Sequence, residues 1–209
     1  MYLPSHFALE DLSSAFDIIE ERHVGTLVVE SGSSFEANLL PWSLSRGVLG
    51  EAVLRGHVGK ANPLTTLVQG EIPALVIFDL VDGYISPNWY PSKKLNQRVV
   101  PTWNYISVHA HGRAQLIHDS TWLAKLVTRL TDINESDQEL PWQVSDAPDD
   151  FIAKRLQGIV GIEVVIERLD VKAKLSQNRG SEDAAGAASG LGANDRERLL
   201  SAKMSEVNE

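Results

Sequence analysis

Along most of this chain, strand-length apolar patterns follow one another at hairpin spacing, while helical patterns are confined to the start, the middle and the end. That order excludes the alternating strand–helix units of a parallel sheet, and it constrains the fold more than any other feature. About six strands are legible, which predicts a mainly β chain (β plus α), an antiparallel sheet closed into a small barrel with peripheral helices. Thr26-Leu27-Val28-Val29 and Phe35-Glu36-Ala37-Asn38-Leu39 flank the turn Ser31-Gly32-Ser33-Ser34 and read as a hairpin. Another strand runs from Gly50 to Val58. The continuous apolar run Ala74-Leu75-Val76-Ile77-Phe78 suggests a strand buried on both faces. Tyr105 to Ile117 alternates, with His109, His111 and Arg113 on one side and Ile106, Val108 and Ala110 on the other. Ile159 to Leu175 is the longest strand pattern.

Helical spacing covers Leu9 to His23, with Glu10 and Asp11 in the first turn where the helix dipole favours acids. A short helix is predicted over Leu64 to Val68, a longer one from an N-cap at Ser120 through Leu130, and a shorter one from Asp149 to Gly158. From Gly180 onward small residues dominate, and two helices, after Ser181 and after Asn194, are marginal on their own. The expected organisation is a main domain over 1–179 and a C-terminal tail over 180–209.

Composition narrows the function classes. The chain has 209 residues, 43% hydrophobic and 22% charged, ordinary for a soluble globular protein with its own core. With 28 acidic against 19 basic side chains, its formal charge of -9 repels nucleic-acid phosphates. DNA binding would need a local basic patch or another subunit. The absence of cysteine excludes disulfides, thiolate metal sites and cysteine nucleophiles. No apolar run approaches the roughly 18 residues of a membrane helix, and no secretory pattern follows Met1-Tyr2-Leu3-Pro4, so a cytoplasmic protein without a membrane partner is expected.

Four segments carry more polar and aromatic detail than packing requires. Arg55-Gly56-His57-Val58-Gly59-Lys60-Ala61-Asn62-Pro63 leaves a strand and enters a helix start, where N–H donors and the Lys60 charge suit a phosphate. A tight turn with a solvated lysine explains the same residues, and the spacing is not that of a Walker A loop. Tyr84-Ile85-Ser86-Pro87-Asn88-Trp89-Tyr90 offers a flat aromatic wall for a planar ligand, or a loop pinned by its rings. Val100-Pro101-Thr102-Trp103-Asn104-Tyr105 sets an aromatic beside an amide that can read a donor/acceptor edge, or simply starts a strand. Lys172-Ala173-Lys174-Leu175-Ser176-Gln177-Asn178-Arg179 is the most basic stretch and reads as an anion edge or a solvated strand end. His109 and His111 share a strand face, but no third metal ligand stands at a diagnostic spacing, and no catalytic elbow, zinc helix or Rossmann fingerprint occurs.

Taken in order, these segments resemble the PaiB family, the FMN-binding negative transcriptional regulators. The matching residues are Met1-Tyr2-Leu3-Pro4 with His6-Phe7, Gly56-His57-Val58-Gly59-Lys60-Ala61-Asn62-Pro63, Tyr84 to Tyr90, Val100 to Tyr105, Gly158-Ile159-Val160-Gly161, and Lys174-Leu175-Ser176-Gln177-Asn178-Arg179. The resemblance extends from residue 1 to about residue 200. Gly59 departs from an expected alanine, and the tail is richer in alanine and glycine than usual. The resemblance implies an antiparallel split β-barrel of the FMN-binding type, a homodimer with a flavin at each subunit interface. By the same analogy Gly59-Lys60-Ala61 takes the phosphate, with His57 just before it and Asn62 after it. Trp103 and Asn104 line the isoalloxazine, and Gln177 with Arg179 closes the site. Repression is the less supported half, because no helix-turn-helix and no long basic helix is visible. The alternative is a flavin-dependent oxidoreductase using a nicotinamide or another small substrate, with the flavin doing the chemistry. No catalytic residue and no metal is expected of the chain itself.

Overall fold

The computed structural model describes residues 1–9, 11–47 and 51–208. The expected helix residue Glu10 and the expected strand start Gly50 lie outside them. In chain order the elements are α1 (Leu12–Arg22), β1 (Val24–Ser31), β2 (Ser34–Pro41), β3 (Ser43–Arg46), β4 (Ala52–Gly59), α2 (Leu64–Leu67) and β5 (Ile72–Ile85). Then come α3 (Lys93–Asn96), β6 (Thr102–Ile117), α4 (Ser120–Glu135), α5 (Asp149–Leu156), β7 (Ile159–Lys174), α6 (Ser181–Gly190) and α7 (Asp195–Asn208). Among the described residues, seven strands form one sheet in the order β2-β1-β5-β6-β7-β4-β3. The chain divides into two compact units. A terminal unit comprises Met1–Glu21, Asp79–His109 and Asp170–Glu209, and a central unit comprises Arg22–Phe78 and Ala110–Leu169.

In the central unit, β1 and β2 pair antiparallel from Val24↔Pro41 to Ser31↔Ser34. Only Gly32 and Ser33 remain for the turn, and Gly32 takes the left-handed φ of 60° that such a hairpin demands. β4 pairs antiparallel with β3 and with β7, where His57 lies opposite Gly161 and Gly59 opposite Ile159. The four residues of β3 are too few to show a period, and the sequence gives no sign of them. β5 corrects one expectation. Ala74, Val76 and Phe78 are buried while Leu75 and Ile77 are only half-buried, so its apolar run alternates after all. A side chain with no charge can sit on the less covered face without a desolvation cost, which is why the run misled. The cap of α4 is likewise Asp119, whose carboxylate accepts the Trp122 N–H at 2.6 Å, and Ser120 is the first helical residue. α4 then lies against β7, with Trp122 over Gly161 so closely that a Cβ there would stand 2.3 Å from the indole.

In the terminal unit, the fully buried side chains include Ile85, Leu175, Leu200 and Met204. The tail forms the two helices expected of it, α6 and α7, but they are part of this core rather than accessory to it. Leu200 and Met204 are wholly inaccessible, and Ala184, Ala187 and Ala188 are buried beside them. The small residues of α6 have a packing reason. Trp89 lies on Gly190, where an added Cβ would meet the indole at 2.1 Å, and the Trp89 carbonyl approaches Gly186 to within 2.3 Å of such an atom.

Candidate functional site

The residues singled out in the sequence fall into two groups, each within one unit. His57, Lys60, Ala61 and Asn62 are in the central unit, and Trp103, Asn104, Gln177 and Arg179 are in the terminal unit.

The central group sits where β4 ends. Lys60 is exposed, and no hydrogen bond or ion pair engages its ammonium among the described residues. The turn around it is rigid: the Lys60 N–H donates to Gly158 O at 2.9 Å and the Asn62 N–H to Gly59 O at 2.9 Å. Asn62 ties this turn to β2, donating from Nδ2 to Asn38 Oδ1 at 2.8 Å while its Oδ1 accepts the Leu64 N–H at 2.9 Å. Thus the expectation of free helix N–H donors fails. α2 has four residues, Pro63 has no N–H, and the Leu64 and Thr65 N–H groups are both taken by Asn62. What remains for an anion is the Lys60 ammonium and the Ala61 N–H, which has no acceptor among the described residues. Ala61, beside it, is exposed.

His57, three residues earlier, faces the helix-covered side of the strand, because the buried neighbours Gly56 and Val58 point the other way. Burial holds its imidazole below the ordinary 6.5, so it is neutral at pH 7. Its Nδ1 is buried without a hydrogen-bond partner. It lines a cavity of about 580 Å³ whose walls include Val127, Phe151, Leu156 and Ile159, with Lys154 and Arg155 at the edge. The Arg155 guanidinium stacks on the Phe151 ring, 4.7 Å from its centroid. A second cavity of about 590 Å³ shares Leu156 and Ile159 and reaches Lys60. Sequence reasoning passed over Lys154 and Arg155 because cations in the last turn of a helix need no further reason than its dipole.

The terminal group is built on the ends of β6 and β7. Trp103 is half exposed, and Tyr84 meets it edge-on with centroids 6.3 Å apart. The Lys174 ammonium donates to the Trp103 carbonyl at 2.6 Å and also to Thr102 Oγ1. Burial, with Lys172 and Arg179 nearby, holds the Lys174 ammonium below its ordinary range. Asn104 is wholly buried, donates from Nδ2 to Ser176 Oγ at 2.9 Å and to Met204 Sδ at 3.4 Å, and leaves Oδ1 without a partner. Ser176 adopts a left-handed φ of 73°, a strained conformation for a residue with a Cβ. Gln177 turns back on its own strand, accepting the Leu175 N–H at 2.7 Å and donating to Ala173 O at 2.5 Å. Arg179 lies over the buried Tyr90 ring at 4.9 Å. Gln177 therefore shapes the strand end, while Arg179 keeps its charge near the aromatic segment. No group of three or more His, Asp or Glu side chains among the described residues could hold a metal ion, and no described helix is long and apolar enough to cross a membrane.

The residues fit FMN in kind. The Lys60 ammonium, unengaged among the described residues, suits a phosphate, a half-exposed indole suits a flat ring, and the buried His57 Nδ1 and Asn104 Oδ1 have no hydrogen-bond partner among the described residues.

Comparison with known proteins follows the same line. Residues 1–168 match the family described as "Putative FMN-binding domain". An uncharacterised protein of Emericella nidulans is 32% identical over 226 aligned positions, covering 91% of this chain and 90% of its own. The protease synthase and sporulation protein PAI 2 of Bacillus subtilis is 28% identical, covering 88% of this chain and 85% of its own. Among solved structures, the flavocytochrome Anf3 from Azotobacter vinelandii superimposes with a TM-score of 0.55 at 16% identity, over 80% of this chain and 69% of that one. The likeness shows the fold, an antiparallel split β-barrel with peripheral helices, mainly β with α.

Proposed function

The chain belongs to the FMN-binding family, and from that premise we propose that it is an FMN-binding negative transcriptional regulator of the PaiB type, working as a homodimer. The observation that carries the flavin half is the Lys60 ammonium, unpaired among the described residues on a turn pinned by Asn62 and Gly158. In this reading Lys60 and Ala61 take the phosphate, and neutral His57 stands behind them as a hydrogen-bonding group without a competing charge. Trp103 flanks the isoalloxazine and Gln177 and Arg179 border it, while Asn104, wholly buried against Ser176 and Met204, reaches an edge of the ring only if its cover shifts on binding. When bound, FMN supplies reversible electron transfer at its ring. The chain's residues bind it, orient it and limit water around it.

The regulatory half draws on the family resemblance. α6 and α7 are two helices joined by residues 191–194, and α7 carries the basic side chains Arg196, Arg198 and Lys203. Yet Arg196 pairs with Asp82 at 2.7 Å, Arg198 pairs with Asp195, and Lys203 lies 3.9 Å from Glu21. DNA contact through α7 would have to exchange these internal carboxylates for phosphates. The decisive experiment combines the visible absorbance of protein purified without added cofactor with a mobility shift on its own promoter fragment, with and without FMN. Flavin binding with an FMN-dependent, salt-sensitive shift supports the reading; flavin binding with no shift at any salt removes the regulator.

One observation favours a second reading, a flavin-dependent oxidoreductase. Trp103 and Tyr84, set edge to face, keep 51% and 48% of their surface exposed, which leaves aromatic surface available to a planar molecule such as a nicotinamide. Steady oxidation of reduced nicotinamide by the FMN-loaded protein would favour it.

A further inference from the structure

A pocket of about 280 Å³ opens in the terminal unit between α1 and α7. Its floor is apolar and buried, made by Ile18 of α1, Ile106 of β6 and Leu175 just beyond β7. Its mouth is charged: Asp17 and Glu21 from α1 face Lys203 and Glu206 from α7. The Lys203 ammonium lies 3.9 Å from the Glu21 carboxylate and 3.8 Å from that of Glu206, in loose ion pairs with both. Asp17 has no hydrogen-bond or ion-pair partner among the described residues. Two carboxylates thus flank one ammonium, and a third, that of Asp17, lines the same pocket above its apolar floor.

We propose that this pocket binds a small ligand with an apolar body and a cationic, ammonium-type head. The floor accepts the body by removing apolar surface from water. The mouth selects the sign of the head, because the rim is short of positive charge and an incoming carboxylate would meet like charges. The volume stands at the small end of ligand pockets, too small for a flavin nucleotide, so the ligand is distinct from FMN. Lys203 acts as the internal occupant of the acidic rim, and a ligand ammonium completes the neutralisation of Asp17, Glu21 and Glu206.

The test is calorimetric titration of the full chain with n-hexylammonium chloride, with sodium hexanoate and 1-hexanol as matched probes, alongside a separate FMN titration. Saturable binding of hexylammonium, at least tenfold tighter than that of hexanoate or hexanol and weakened by salt, is expected. Asp17→Asn combined with Glu21→Gln should lower that affinity at least tenfold and leave FMN affinity unchanged. Val207→Trp, which fills the mouth from a half-exposed position, should abolish it without touching the rim charges. Absence of saturable binding, equal binding of the three probes, or insensitivity to both variants would overturn the proposal. Loss of FMN binding with hexylammonium binding intact would instead count against the flavin reading and leave this pocket standing.

Discussion

At the scale of single residues, the flavin reading rests on charge that the protein has left free. Lys60 touches no carboxylate among the described residues, so its removal leaves none of them without a partner. Lys60→Ala is expected to weaken FMN binding by about 1.5–3 kcal/mol, roughly ten- to hundredfold, with the thermal midpoint unchanged. Fluorescence titration checks it, and wild-type affinity would take Lys60 out of the site. His57 makes the complementary prediction through pH. Burial depresses its folded pKa below 6.5, so the unfolded chain binds the extra proton first as pH falls. Stability is therefore full above the unfolded value and declines as pH drops below about 6.5 toward and past the lowered one. His57→Gln, which cannot take that proton, should lose less thermal stability than wild type between about pH 7 and about pH 5.5. Parallel melting curves for the two proteins across that window would show that the imidazole does not contribute.

Among the elements, packing of α4 on β7 offers the sharpest test, because it depends on a missing atom. With Trp122 where it is, any Cβ at residue 161 clashes with its ring. Gly161→Ala should cost about 1–3 kcal/mol in urea unfolding, and adding Trp122→Leu should recover part of it. A double variant no better than the single one would place the strain elsewhere. The same pair shows what a sequence can and cannot reveal. The periodicity of Trp122, Leu123, Leu126 and Leu130 marks the helix, and the alternation from Ile162 marks the strand, but nothing in either states that they meet at Gly161. Likewise the β1–β2 hairpin is legible from Gly32, whereas β3 is invisible at four residues. The site was legible where a charge or an aromatic broke a pattern, as at Lys60 and Trp103. It was illegible where partners come from distant segments, as when Asn104 meets Ser176 and Met204.

For the whole molecule, the question is how much of the chain a flavin site needs. A reading by composition alone treats residues beyond Gly180 as dispensable, since they are rich in alanine and glycine and poor in bulky side chains. Burial argues otherwise. Leu191, Leu200 and Met204 are buried in the terminal unit, and at about 1.5–3 kcal/mol for each such side chain the tail contributes on the order of the 5–15 kcal/mol that stabilises an ordinary domain. Met204 also supplies the sulfur that accepts from Asn104, so the tail bears directly on the residue expected to read the flavin ring. A chain ending at residue 179 should therefore show a much lower urea midpoint or fail to fold. Because such failure alone would say little about the site, Met204→Ala in the full chain is the finer probe. It should cost about 2–5 kcal/mol through the cavity it leaves and lower FMN affinity through Asn104, while Leu191→Ala lowers stability with affinity intact. Equal urea midpoints for the full and shortened chains would mean that α6 and α7 ride on the terminal unit without supporting it. If Met204→Ala instead changed stability alone, Asn104 would be a core amide and the flavin's polar edge would have to find its partner elsewhere.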